Sequence, residues 1–375
     1  MGYTMDVCID IQAAVSQRAG VGRYTKLLAE HLPAAAGADR LTLFSFDFRR
    51  AGSPLHTPGA RHRTVRWCPG RAAQWAWKTL HWPPFDWLAG AADLYHFPNF
   101  ILPPLSRGRA VVTIHDVSFL RYPEFAEEQN LRYLNRMMAD TVRRADAVLT
   151  DSEFCAGEIR AAYRLPAGRV RPVHLGVGAE FIRPAESAMV ALRRDLRLDR
   201  PYLLHVGTIE PRKHLPFLIE VFERMLEYDG LLVLAGGPGW KCEPVFARIA
   251  ASPRADRIRY VRYVTDAQLP ALYAAADAFV FPSFYEGFGL PPLEAMACGT
   301  PVVSSAGGSL PEVLGDGAVS IPEYASERWA TEVLRLLGDG AWRARQIAAG
   351  RARAARYTWA ETARRTWTAY REIAT

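Results

Sequence analysis

The chain has 375 residues, half of them hydrophobic and 23% charged, with a formal net charge of +7. Such a composition excludes a disordered chain, and the length exceeds what one core usually holds, so two domains are expected. Excess positive charge suits nucleic acid, anionic lipid or phosphorylated small molecules, but no long basic run and no zinc-finger, RNA-binding or helix-turn-helix pattern selects nucleic acid, and no apolar run of about 18 residues is present to span a bilayer.

Met-Gly-Tyr-Thr-Met-Asp runs straight into an apolar strand over residues 7–11 without a signal-peptide pattern. The five cysteines are odd in number and lack CxxC or metal-like spacing, so reduced thiols and a cytoplasmic location are expected. Gly20-Val21-Gly22-Arg23 opens a helix over 22–32, and a strand follows at 41–46. Residues 67–87 hold five of the ten tryptophans, Trp67, Trp75, Trp77, Trp82 and Trp87, together with Arg71, Lys78 and His81. That segment reads as a packed helix pair, as a membrane-facing amphipathic patch, or as an aromatic platform for acceptor sugars. Strands at 94–97 and 110–114 follow, the second ending in His115-Asp116. A helix over 127–144, a strand at 147–150, a helix over 152–163 and a strand at 170–173 complete the first half. A break is expected near residues 183–200, where Pro184 follows an irregular stretch.

The second half repeats the pattern. A strand at 202–206 leads through Gly207-Thr-Ile-Glu-Pro-Arg212-Lys213 into a helix over 215–227. Strands at 231–235 and 258–260 precede a helix over 266–275. A strand at 278–281 runs into Pro282-Ser-Phe-Tyr-Glu286-Gly287-Phe288-Gly289-Leu290, and a helix over 290–298 carries Glu294. Strands at 301–304 and 318–321 and helices over 327–337 and most of 341–373 close the chain. Strands alternating with amphipathic helices predict an α/β class with parallel sheets, occurring twice. The expected domains are 1–184 and 185–358, with a last helix at about 359–375 packing back on the first. Ligands of such sheets bind beyond the carboxyl ends of the strands, so two such domains are expected to face each other across a cleft.

The block around Glu286 and Glu294 carries the sharpest chemistry. Glycines let the backbone approach a ligand, and a helix start aims N–H groups and a positive dipole at an anion. The two carboxylates accept from hydroxyls, so the pattern fits a phosphate that also bears sugar hydroxyls. Arg212 and Lys213 offer a fork and a point charge to a diphosphate; as cations at a helix start they oppose the dipole, which a solvated pair would not explain. Gly20 and Gly22 read either as a structural turn or as close approach to a phosphate or sugar. His115 reads either as a core histidine or as a group presented to a sugar, with Asp116 orienting it or touching the ligand. No Ser-His-Asp order, Walker loop or zinc cluster is evident, and no Asp-x-Asp marks a divalent-ion site.

These residues resemble the retaining glycosyltransferases of family 4, which have the two-domain GT-B fold. The specific segments are Gly207 to Lys213, Tyr273-Ala-Ala-Ala-Asp277, Pro282 to Leu290, and Glu294-Ala-Met-Ala-Cys-Gly-Thr-Pro-Val302. Gly20 to Thr25, Thr113-Ile-His115-Asp116 and Asp151-Ser-Glu-Phe154 are similar as well. The glycine-arginine-tyrosine form of the first loop is most similar to bacterial mannosyltransferases of O-antigen and exopolysaccharide assembly. The resemblance implies that Arg212 and Lys213 neutralise the donor diphosphate and that Glu286 binds donor-sugar hydroxyls, with the amides of Gly287, Phe288, Gly289 and Leu290 nearby. It implies Glu294 on the ribose, Gly20 and Gly22 near the diphosphate, Gly207 and Asp116 in the donor site, His115 on the donor sugar, and Val264 in a loop bordering the nucleobase. His214 departs from the family pattern, where an asparagine is usual. So does Cys155, where a small hydroxyl residue is common.

The activity implied is transfer of a hexose from a nucleotide sugar to a hydroxyl of a glycan or lipid-linked glycan. No metal or other cofactor and no nucleic acid are implied. GDP-mannose is the first donor; UDP-glucose, UDP-galactose and UDP-N-acetylglucosamine follow. Retention by a same-face reaction is expected, since the pattern supplies no well-placed carboxylate nucleophile. The competing class is a non-catalytic sugar-nucleotide-binding protein, which would keep Glu294 and lose Arg212, Lys213 or Glu286. Contact with the inner face of the membrane through residues 67–87 is a further expectation.

Overall fold

The computed structural model describes residues 4–17, 20–50, 52, 55, 57–126 and 128–374. Among them, seven strands form one sheet: β1 (Asp6–Asp10), β2 (Arg40–Phe46), β3 (Arg61–Val65), β4 (Leu94–Phe97), β5 (Arg109–Thr113), β6 (Ala147–Thr150) and β7 (Val170–Pro172). Their order is β3-β2-β1-β4-β5-β6-β7, and every pairing is parallel. A second parallel sheet holds β8 (Tyr202–Val206), β9 (Leu231–Ala235), β10 (Ile258–Val261), β11 (Ala278–Phe281), β12 (Val302–Ser304) and β13 (Ala318–Ser320), ordered β10-β9-β8-β11-β12-β13. Parallel neighbours need crossover helices, and these cover the sheets and make the strands continuously apolar. Leu231–Ala235 (LLVLA) and Ala278–Phe281 (AFVF) are buried at every position.

Two compact units result. The first comprises residues up to Val117, Gln129–Gly176 and residues from Thr358 onward; the second comprises Ser118–Glu128 and Val177–Tyr357. In the second unit, helices Leu215–Arg224 and Ser326–Gly338 lay apolar faces on the sheet. Leu218, Phe222, Trp329 and Val333 are fully buried there with Leu203 and Val280. Side chains of this kind contribute about 1.5–3 kcal/mol each when buried.

Four features depart from the sequence reading. Strand β3 (RHRTV) is mostly exposed at a sheet edge; an edge strand buries too little to show an apolar run. Residues 186–195, inside the expected break, form the helix Glu186–Asp195, with Met189 and Leu192 buried. The long helical tail divides into Gly340–Ala354, capped by Asp339 accepting from the Trp342 amide, and Trp359–Ala374. The segment Ser118–Glu128, which falls within the expected first domain 1–184, belongs to the second unit. There the Tyr122 and Phe125 rings stack at 5.3 Å, and Phe125 stacks on Phe284 at 5.4 Å. Trp240 Nε1 donates to the Phe125 carbonyl at 2.5 Å, and Lys241 Nζ donates to the carbonyls of Glu124 and Ala126.

The helix Trp359–Ala374 belongs to the first unit. Trp359, Trp367 and Tyr370 are buried in it. Trp367 Nε1 donates to Asp39 at 2.9 Å, the Thr362 hydroxyl donates to the His174 carbonyl, and Tyr370 OH bonds His96 Nδ1 at 2.6 Å.

Candidate active site

In the second sheet the strand order reverses between β8 and β11, so the loops leaving their carboxyl ends diverge and open a crevice. Both loops carry charge to that point. Lys213 Nζ donates to Glu286 Oε1 at 2.6 Å, and Arg212 Nη1 pairs with Glu286 Oε2 at 3.0 Å. Arg212 Nη2 donates to Glu210 Oε1 at 2.7 Å, and Nη1 donates to the Tyr285 carbonyl at 2.6 Å. The Phe284 amide returns a bond to the Arg212 carbonyl at 2.9 Å, locking one loop to the other. Lys213 also lies 5.1 Å from the Phe281 ring centroid.

Lys213, Glu286 and Glu210 are buried. Burial disfavours the Glu286 carboxylate, but Arg212 and Lys213 outweigh it and hold the carboxyl at about 2. The Lys213 ammonium lies below its ordinary value because of burial and the neighbouring Arg212, with Glu286 and Glu210 pulling the other way. Two cations are thus balanced by two carboxylates in a poorly solvated place. Beneath them His205 is fully buried, its Nδ1 at 3.2 Å from the Val280 carbonyl and its Nε2 unpartnered. Burial and Lys213 push its pKa down to about 3, so the ring is neutral.

Glu294 lies one turn into the helix Leu290–Ala297 and is buried. Tyr273 OH donates to its Oε2 at 2.9 Å. Pro291 and Pro292 supply no N–H, so the amides at this helix start are those of Gly287, Phe288, Gly289 and Leu290. Gly289 holds φ +104°, which a side chain would strain. Ser309 supports the turn: its amide and hydroxyl donate to the Glu286 carbonyl, and the hydroxyl also lies 3.0 Å from the Phe288 carbonyl. Gly308, at φ +65°, leaves no room for a Cβ beside the Glu286 backbone. Gly207 follows β8, where its Cα faces His205 and the Lys213 stem. Val264 sits partly exposed in the loop after β10.

In the first unit His115 follows β5. Its orienting bond comes from Asp151 and not from the adjacent Asp116: His115 Nδ1 and Asp151 Oδ2 are 2.8 Å apart. Burial lowers the His115 pKa, but Asp151, aided by Asp116 and the Pro98 carbonyl, raises it on balance. Nε2 has no partner in good geometry. The Tyr24 ring meets His115 edge-on at 4.6 Å, and Tyr24 OH bonds Thr113, which bonds His96 in turn. Gly22 is packed against the Gln17 carbonyl, and Gly20 turns the chain at φ +58° with open space around it. His214 adopts φ +53° at the start of helix Leu215–Arg224 and stacks on Phe284 at 4.0 Å and Phe217 at 4.9 Å. Cys155 is buried and accommodated beneath the Ser152 cap.

Two family descriptions cover the two halves. "Glycosyltransferase Family 4" matches residues 18–181, and "Glycosyl transferases group 1" matches residues 192–353. O-antigen chain mannosyltransferase B of Escherichia coli is 35% identical over 370 residues, covering 94% of this chain and 96% of its own. The chain belongs to glycosyltransferase family 4. A family relative, the D-inositol 3-phosphate glycosyltransferase of Streptosporangium roseum, is 32% identical over 68% of this chain and 62% of its own. Among solved structures, the sucrose-phosphate synthase of Thermosynechococcus elongatus superposes with a TM-score of 0.77 at 22% identity, covering 98% of each chain. WaaG, a glycosyltransferase involved in lipopolysaccharide biosynthesis, gives 0.70 at 17% identity, covering 96% of this chain and 98% of its own. The protein is a glycosyltransferase of the GT-B type with two Rossmann-like sheets.

Of the residues singled out from the sequence, Arg212, Lys213 and Glu286 are brought into direct contact. Glu294 stands in the same turn-and-helix unit, and His115 lies in the other sheet. Sequence reasoning gave no role to Glu210, Tyr273, Asp151, His205 or Ser309. The first three lie inside motifs already quoted, and Gly307-Gly308-Ser309 after β12 was the available signal for the last.

Proposed function

We propose that this glycosyltransferase transfers mannose, with retention, from GDP-mannose to a hydroxyl of a lipid-linked oligosaccharide at the cytoplasmic side of a bacterial membrane, without a metal ion. The observation that carries this reading is the ion cluster of the partly exposed Arg212 with the buried Lys213 and Glu286 at the β8/β11 switch. Diphosphate oxygens can take the place of the Glu286 oxygens on Arg212 and Lys213, which frees Glu286 to accept from sugar hydroxyls. Glu294, steadied by Tyr273, accepts from the ribose hydroxyls. His115, fixed through Nδ1 by Asp151, offers Nε2 to a sugar hydroxyl.

As the C1–O bond to the diphosphate breaks, its electron pair passes to the phosphate. Arg212 and Lys213 stabilise that charge in a low-dielectric setting. The acceptor oxygen bonds C1 on the face the phosphate leaves, and its proton passes to the departing phosphate oxygen. No side-chain nucleophile is used. The charge of two fixed cations supplies what a divalent ion would otherwise supply. Mannose and GDP rest on the likeness to the O-antigen mannosyltransferase.

The test is thermal-shift stabilisation across a panel of GDP- and UDP-sugars in chelator, with Glu294→Ala alongside. Stabilisation by GDP-mannose, absent from the variant, is expected. A shift with a UDP-sugar instead would overturn the donor. A shift that needs a divalent ion would overturn metal independence.

A further inference from the structure

The segment of residues 61–87 is unusual in what it leaves outside. Trp67, Trp75, Leu80, Trp82 and Trp87 are 72, 62, 61, 57 and 59% exposed. Only Trp77 turns inward, packing on Phe46 and Phe85 and donating Nε1 to the Pro83 carbonyl at 2.9 Å. That anchor holds the helix that carries Trp75. On the helix Gly70–Thr79, Ala73 and Trp77 are buried, while Arg71, Trp75 and Lys78 share the opposite, exposed face at spacings of four and three. Trp82 and Trp87 meet edge-to-face at 6.2 Å, so their apolar surfaces are contiguous.

Charge on this segment is one-sided. It carries Arg61, Arg63, Arg66, Arg71 and Lys78 against the single acid Asp86. Asp86 is buried and occupied by the amide and hydroxyl of Ser106. Beside the helix runs a groove of about 560 Å³ whose lining includes Trp77, Leu102 and Met137 together with Lys78, His81 and Arg136. The one acid lining it, Asp140, is held by Arg143 and Arg144.

Four indoles exposed within 21 residues and rimmed by cations do not suit a face left to water. Indoles prefer the headgroup level of a bilayer, and Arg and Lys meet anionic lipid there. We propose that this face is a docking surface for an anionic phospholipid bilayer, with the outer indoles at headgroup depth and lipid phosphates on Arg71 of the helix and on Lys78 and Arg136 of the groove. The docked unit would thereby meet a membrane-held acceptor. The proposal stands apart from the donor reading, since none of these residues belongs to the cluster at β8 and β11.

The experiment is co-sedimentation of the full chain with vesicles of phosphatidylcholine alone or mixed with phosphatidylglycerol, at rising salt, with brominated lipid as an indole quencher. Variants are R71E/K78E and W75S/W82S, both on exposed positions, with circular dichroism and nucleotide-sugar thermal shift as controls for folding and for the donor site. Expected are salt-sensitive binding to the anionic vesicles, indole quenching there, and loss on the order of tenfold or more in R71E/K78E, at about fivefold per cation removed. W75S/W82S should lose most of the quenching and bind more weakly. Equal binding to both vesicles, no binding, or unchanged binding of the variants would each overturn the proposal. So would quenching by soluble oligosaccharide with none by vesicles, which would assign the indoles to sugar stacking. Competition by soluble pyrophosphate that abolishes quenching would reassign the groove to a free phosphate and overturn the membrane reading too. A failed vesicle assay with an intact donor shift leaves the donor reading standing.

Discussion

Glu286→Gln removes the one carboxylate shared by Arg212 and Lys213 while keeping its shape. The folded carboxyl lies at about 2 against an ordinary 4.5. At about 1.4 kcal/mol per tenfold, that difference carries roughly 3 kcal/mol of stability at neutral pH. Because the folded value is depressed, this stability is present above 4.5 and is lost as the pH falls from there toward 2. Most of it should still be present at pH 4, with the loss steepening below that. Lys213 acts in the opposite sense. Its folded value lies below the ordinary one, so its burial costs stability at neutral pH and costs less once it deprotonates. Without Glu286 that cost grows, and the variant should recover stability toward alkaline pH more than the wild type does. The assay is urea unfolding of wild type and variant from pH 4 to 10, following a probe in the second unit, since two units need not unfold together. A variant as stable as wild type at pH 7 would refute the ionised-cluster account. So would a deficit that stays constant across the whole pH range.

Tyr273→Phe deletes the hydroxyl that bonds Glu294 at 2.9 Å inside the core; a stability loss of about 1 kcal/mol is expected by denaturation, with nucleotide-sugar affinity weakened several-fold in calorimetry. Asp151→Asn removes the charge that raises the His115 pKa, so the His115 titration followed by NMR should move to lower pH; an unmoved midpoint would show that Asp151 does not set it. Gly308→Ala places a Cβ against the Glu286 backbone at φ +65°; about 1–3 kcal/mol of destabilisation is expected together with weaker donor binding, and an unaffected melting temperature would contradict the packing. Arg212→Ala should lower kcat/KM for transfer by on the order of 10²–10³-fold, the scale of losing a transition-state charge partner, as measured by release of the nucleoside diphosphate.

Much of the architecture was readable because parallel strands are apolar on both faces. Strands β8, β9 and β11 stand at the expected positions, since nothing but burial explains Tyr202–Val206, Leu231–Ala235 and Ala278–Phe281. Strand β3 was not readable for the opposite reason: at an edge its Arg61-His62-Arg63 face water and look like loop. The site was legible as far as local chemistry reaches. Cations at a helix start, glycines at a turn and two carboxylates in one block all announce a ligand without any tertiary knowledge.

Pairing was a different matter. His115 has an aspartate beside it in the chain, yet its partner is Asp151, 36 positions away. Lys213 and Glu286 are 73 positions apart and touch because β8 and β11 are neighbours in the sheet, although two strands intervene in the chain. A pattern of tryptophans cannot tell Trp77 from Trp75, since both lie on one short helix; the core claims one and leaves the other outside. The residues by themselves determined an α/β chain in two halves and which side chains carry charge or accept hydroxyls, because those properties belong to single residues and to short-range periodicity. Which carboxylate holds which cation, and which face is left uncovered, was decided only by the folded sheets, because crossover connections bring distant loops together in an order that local spacing does not contain.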